Sequence, residues 1–231
     1  SALEQLGVRN SSVYLSNCTI WVEGITDRLY LKKYLDVFYE KFEGKEKFKE
    51  DFHYSFVEYS GSNITHWSFL DNEEEPINVD RLCGRLFLIV DRDNGTSEAK
   101  IARHAKLENV LKERFYVFDC KEIENQLSPG VLIRVLKSYG EDETCLPVIN
   151  QGDYKDRNLG QHIEDILGEQ KKRKGSYIDG NTISDKVGFC RRAVSNIETW
   201  DDLSSEAQQL TEKLFDFIRV NQEPKGIFSS S

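Results

Sequence analysis

Acidic side chains stand at three points where apolar, strand-like sequence gives way to polar sequence. Glu23 and Asp27 lie in Val22-Glu23-Gly24-Ile25-Thr26-Asp27, Asp91 and Asp93 in Val90-Asp91-Arg92-Asp93-Asn94-Gly95, and Glu122 and Glu124 in Lys121-Glu122-Ile123-Glu124-Asn125. Carboxylate oxygens suit hard divalent cations, so acids converging on one point predict a Mg2+ or Mn2+ site. Residues i and i+2 of an extended chain point the same way, which turns Asp91 and Asp93 toward one cation, and Gly95 lets the chain turn away. Glu23 and Asp27 flank a turn in which Gly24 allows the bend. Asp27 falls in the first turn of a helix, where its charge is favoured. Each signal alone has a plainer reading: a DxDxG turn, a solvated glutamate, an aspartate complementing a helix end.

A parallel sheet would bring these acids together, because ligands bind at the carboxyl edge shared by its strands. Residues 18–22 (CTIWV) read as a short strand, and residues 52–57 (FHYSFV) as a second. Residues 86–90 (LFLIV) are continuously apolar, as a strand covered on both faces should be, and residues 115–118 (FYVF) form a fourth. Leu31, Tyr34, Leu35, Phe38 and Phe42 recur at helical spacing between the first two strands, with Thr26 as the expected N-cap. Ser97 is the expected cap of a helix running to about Arg114. This β-α-β-α rhythm predicts an α/β fold: a parallel sheet of about four strands flanked by helices, with a C-terminal helical extension. Past Pro129 no strand is expected. Residues 141–155 read as a loop. Trp200, Leu203, Ala207, Leu210, Leu214 and Phe217 make one apolar stripe on a long helix, which packs on the sheet or serves a partner.

The chain has 231 residues, 39% of them hydrophobic, enough for one α/β core with a helical addition. No apolar run is long enough to cross a membrane as a helix, and no signal peptide is evident at the start. Methionine is absent even at position 1, which suggests a fragment, a processed product or a chain with an added scar at its start. Cys18, Cys83, Cys120, Cys145 and Cys190 form no CxxC pair, so no zinc knuckle or disulfide framework is expected and the setting reads as a reducing cytoplasm. The four histidines are scattered. A net charge of −9 argues against a simple nucleic-acid coat protein, but bound metal would supply positive charge where a phosphate must arrive.

Glu23-Gly24 after one strand and Asp91-x-Asp93 after the next strong one resemble the Toprim (topoisomerase–primase) pattern. Residues 6–12 (LGVRNSS) and 17–28 (NCTIWVEGITDR) are similar to the junction where OLD (overcoming lysogenization defect) family proteins pass from an ABC-type ATPase into Toprim. Residues 121–127 (KEIENQL) resemble that family's acidic motif after the last core strand. These matches span residues 6 to 127. Gly61, between Ser60 and Ser62, falls at the family's glycine-containing turn, where a second glycine is usual. The resemblance implies a junction over 1–17, a Toprim catalytic core over 18–128, a helical region over 129–222 and a flexible tail over 223–231.

It also implies a Mg2+- or Mn2+-dependent DNA endonuclease or nickase that works beside an ATPase of the same protein, forms a homo-oligomer through it and serves bacterial or phage defence. The metal ligands would be Glu23, Asp27, Asp91, Asp93, Glu122 and Glu124: in phosphodiester hydrolysis Asp91, Asp93 and one of Glu122 or Glu124 would hold one cation, Glu23 and Asp27 would share a second about 4 Å away, and Glu23 would also relay a proton. Glu124 is preferred over Glu122 because it precedes Asn125. This chain holds no GxxxxGK[ST] and hence no nucleotide site. OLD-family nucleases have a lysine in a helical segment after the core, and Lys186 matches it. Such an ammonium would stabilise charge growing on the scissile phosphate, although an ordinary surface lysine paired with Asp185 is the competing reading. Lys171, Lys172, Arg173 and Lys174, with Arg191 and Arg192, are candidates for holding a phosphate backbone; a solvated helix face is the alternative. A non-catalytic nucleic-acid-binding Toprim module and an RNA-processing Toprim nuclease are the other functions in play.

Overall fold

Four parallel strands form the centre of the fold in the computed structural model, which describes residues 16–59, 85–92, 105 and 107–222. They are β1 (Cys18–Val22), β2 (Tyr54–Glu58), β3 (Arg85–Val90) and β4 (Phe115–Val117), in the order β2-β1-β3-β4. Helix α1 (Ile25–Lys41) joins β1 to β2. Alternating side chains divide between two apolar clusters, as the strand period of two requires. Ile20, Val22, Phe56, Phe87 and Ile89 enter the larger. Trp21, Val57, Leu86, Leu88 and Val90 enter the smaller with Leu107 and Leu111. Both faces are therefore covered, which explains the near-continuous apolar text of β1 and β3.

The larger cluster is completed by α2 (Pro129–Ser138), α3 (Leu159–Leu167), α4 (Lys186–Asn196) and α5 (Ser205–Val220). Helices α4 and α5 both pack on α1. On α5, Ala207, Leu210 and Leu214 are fully buried, and Phe217 meets Phe87 of β3 with ring centres 5.3 Å apart. The apolar stripe thus packs on the sheet. Its helix is shorter than the stripe: residues 200–202 form a 3-10 turn, Leu203 bridges to Leu127, and Ser204 caps α5 by accepting from Ala207 N.

Several boundaries differ from the sequence reading. Strand β2 begins at Tyr54, two residues later than expected. Residues 49–53 instead turn tightly, with Lys49 O accepting from His53 N and Asp51 in a left-handed conformation. The N-cap of α1 is Gly24, not Thr26, because the Asp27 carboxylate returns to the Gly24 N–H at 3.0 Å and takes over the capping. Gly24 has φ −157°, extended backbone open to any residue, so the turn does not require glycine there. The expected Ser97 cap lies outside the described residues; residues 107–111 are helical and residues 112–114 close in a 3-10 turn. Residues 141–155 hold only two short 3-10 turns, in keeping with a loop.

The region after Pro129 does contain strands. β5 (Ile178–Asp179) and β6 (Thr182–Ile183) pair as an antiparallel hairpin. Gly180 at φ +55° makes its turn. No helix among the described residues is long and apolar enough to cross a membrane.

Candidate functional site

In a sheet ordered β2-β1-β3-β4 the chain leaves β1 toward one side and returns on the other. The strand order reverses between β1 and β3, and a crevice opens at their carboxyl ends. Glu23 is the first residue past β1, and Asp91 the first past β3. The turn Ile123–Gln126, which follows β4, carries Glu124, with Glu122 just before it. Asp27 comes from the first turn of α1, and Lys186 opens α4. These side chains converge. The Lys186 ammonium lies 3.5 Å from Glu124 Oε2 and 3.7 Å from Glu122 Oε2, and it also feels the charges of Asp91 and Asp27. Asp91 in turn feels Asp27, Glu23 and Glu124.

Burial sets the electrostatics. Glu124 is 0% exposed and Asp27 4%. Loss of water pushes the Glu124 carboxyl up to about 8, against the pull of Lys186. Asp91 is pushed up to about 9 by burial and then by its acidic neighbours Asp27 and Glu23. Asp27 rises to about 6 through burial, opposed by the Gly24 N–H and Lys186. The same carboxylates hold the Lys186 proton more tightly than usual, although its own burial works the other way.

Both oxygens of Glu124 and Oδ1 of Asp91 are buried without a hydrogen-bond partner. Buried polar atoms are rarely left so, and oxygens of this kind are what a hard cation takes as ligands. Their donor chemistry is that of ligands to a divalent metal. As the side chains stand, no group of three or more His, Cys, Asp or Glu residues among those described is placed to hold one. Asp93, expected as a ligand beside Asp91, lies outside the described residues, as does the turn at Gly61.

The acidic turn is held by residues inside the motif, Asn125 and Lys121, and by one outside it, Thr182. Asn125 Oδ1 accepts from Glu122 N at 3.2 Å, and its amide donates to Tyr154 O and Arg157 O. Thr182, on β6, donates to Glu122 Oε2 at 2.8 Å, and Lys121 donates to Asn181 O. A buried asparagine beside the acidic motif was the one available signal; Thr182, distant in sequence, gave none. Arg92, next to Asp91, pairs with Asp156 and lies 3.7 Å from Asp119.

No known protein family, curated protein or solved structure matches this chain. The chemistry of the site therefore rests on its own geometry.

Lys186 is not paired with Asp185, whose carboxylate caps α4 by accepting from Gly188 N. Asp185 sits at φ +49°, a strained backbone for a non-glycine residue, so the residue presenting Lys186 is itself fixed. The six basic candidates separate into three kinds. Lys171 is paired with Glu164, and Lys172 with Asp142. Arg173 and Arg192 pack on Tyr139. Lys174 and Arg191 are exposed. Residues 171–174 follow a short turn at Gly168–Gln170 and are not a helix face. Cys18, Cys120, Cys145 and Cys190 are free.

Proposed function

We propose that the chain is a divalent-metal-dependent DNA endonuclease or nickase domain of the Toprim class, belonging to an OLD-family ATPase–nuclease of bacterial or phage defence. The observation that carries this reading is the set of acids at the β1/β3 switch point, with Asp91 Oδ1 and both Glu124 oxygens buried without a hydrogen bond and Lys186 3.5 Å from Glu124 Oε2. Asp91 and Glu124 would hold a Mg2+ or Mn2+ ion with Asp93, while Glu23 and Asp27 would serve a second. Bound metal would supply an activated water and positive charge at the leaving oxygen. Lys186, whose proton is held firmly, keeps an ammonium ready for the charge that builds on a phosphate in the transition state. Glu23, only partly buried, is free to pass a proton to solvent. Glu122 is held by Thr182 and positions the turn rather than the metal, so Glu124 is the better ligand of the two.

One observation favours a second reading, a non-catalytic nucleic-acid-binding Toprim module: the Lys186 ammonium already offsets part of the acidic charge without metal. The test is to incubate the chain with supercoiled plasmid, single strands and structured RNA, with Mg2+, Mn2+ or chelator. DNA cleavage in metal and none in chelator supports the nuclease. Cleavage of RNA alone points to RNA processing. Binding without cleavage points to the module. The ATPase, the homo-oligomer and a cytoplasmic location remain part of this proposal.

A further inference from the structure

Tyr139, at the C-cap of α2, has two guanidinium groups over its ring: the Arg192 carbon lies 4.3 Å from the ring centre and that of Arg173 lies 4.7 Å. Arg173 also lies 4.6 Å from the Tyr177 ring. Guanidinium groups stack on aromatic faces and leave their N–H edges free for planar, bidentate recognition of phosphate. Neither arginine has a carboxylate within ion-pair distance among the described residues. Arg192 donates to Ser138 O and Oγ and also reaches the Tyr139 hydroxyl, and the buried Nη1 of Arg173 has no hydrogen-bond partner. The acids nearby are committed elsewhere. Glu141 accepts from the Lys172 and Arg173 backbone N–H groups and from the Tyr177 hydroxyl, and Asp185, which faces Tyr139, caps α4. Lys171 and Lys172, by contrast, are matched by Glu164 and Asp142. In a chain of net charge −9, two adjacent guanidinium groups without an ion-paired carboxylate are open to an anionic ligand.

We propose that Arg173 and Arg192, mounted on Tyr139, form a phosphate-binding subsite that grips the backbone of a nucleic-acid strand. The proposal rests on the nuclease reading above for the identity of the ligand. Helix α4 carries both Arg192 and Lys186, and six residues of helix rise about 9 Å. A strand held at Arg192 therefore lies less than two helical turns from Lys186 along α4, although six residues also turn about 240° around the axis and set the two side chains on different faces. Contacts of this kind fix the strand's register without reading its sequence.

The test is binding of a labelled single-stranded oligonucleotide to the 231-residue chain in chelator, followed by anisotropy across a salt series. Replacing both arginines, Arg173→Gln with Arg192→Gln, is expected to weaken binding about tenfold or more and to lower the slope of log affinity against log salt by about 1.4, the share of two phosphate contacts. Lys171→Gln and Lys172→Gln should keep wild-type affinity and slope. Arg173→Lys with Arg192→Lys retains the charges and should restore most of the slope, which a merely misfolded glutamine variant would not explain. Wild-type affinity and slope in the glutamine double variant, equal losses in the two lysine variants, or tighter binding of an acidic peptide than of DNA would each overturn the subsite. The two readings fail separately. Arginine-dependent DNA binding without cleavage in any divalent metal leaves the subsite standing and removes the nuclease. Cleavage unaffected by the glutamine double variant does the reverse.

Discussion

Asp91 and Glu124 hold their protons more tightly than free carboxyls do because burial strips water from the charged form, and acidic neighbours add to the effect on Asp91. A carboxyl whose folded pKa is raised binds more protons folded than unfolded. Its contribution to stability is full below the ordinary carboxyl range and is lost as pH rises through the folded value. With Asp27 at about 6, Glu124 at about 8 and Asp91 at about 9, the window opens in the ordinary carboxyl range and closes near Asp91's value. The melting temperature of the metal-free chain should therefore fall as pH rises through that window. Asp91→Asn should flatten the fall, and Mn2+ should reverse it. A flat or rising profile in the wild-type chain contradicts the buried-acid account. Lys186→Ala is expected to cut turnover by about 10²-fold or more, as for a lost transition-state donor, with Mn2+ still bound by calorimetry. Near-wild-type turnover in that variant would retire the lysine's catalytic role.

Helix α3 reaches the site through backbone contact. Gly160 approaches so closely that a Cβ there would stand 2.1 Å from Tyr177 O, the same carbonyl that accepts from Ser184 N. Tyr177 begins the segment that runs through the β5–β6 hairpin and Asp185 to Lys186, and Thr182 on that hairpin holds Glu122. Gly160→Ala must push α3 and this segment apart, at a cost of about 1–3 kcal/mol. It should lower the melting temperature and speed amide exchange over residues 177–186; an unchanged melting curve contradicts the packing. Nothing in the sequence announced this contact, since a glycine in a helical run carries no record of what lies across from it. The β strands were legible because both faces of the sheet are apolar, and the acids at their ends because strand ends are where polarity returns. The hairpin was hidden by its length: strands of two residues show no alternation, and only the Asp179-Gly180-Asn181 turn marked it. The Thr26 cap was misplaced because a side chain three residues into the helix, Asp27, does the capping from within.

A net charge of −9 bears on the molecule as a whole. Long-range repulsion lowers the encounter rate with DNA, so binding must come from local arrangements such as the free arginines and from whatever accompanies this chain. The isolated chain should bind DNA weakly, with an affinity that falls steeply with salt. Tight binding that survives high salt contradicts this. The helical region and the sheet share one apolar cluster, so Lys186 and the acids keep their juxtaposition only while both are folded. Of all these statements the metal-dependent cleavage of DNA is central, and Asp91 tests it with least disturbance, since asparagine keeps its shape and relieves repulsion among the acids. The measurement is the rate of supercoiled plasmid nicking in Mn2+ by wild type and by Asp91→Asn, with melting temperatures recorded alongside. The wild type is expected to nick the plasmid and the variant not to, with the variant at least as stable without metal. Equal nicking rates, or no nicking by either protein in any divalent metal, would contradict it.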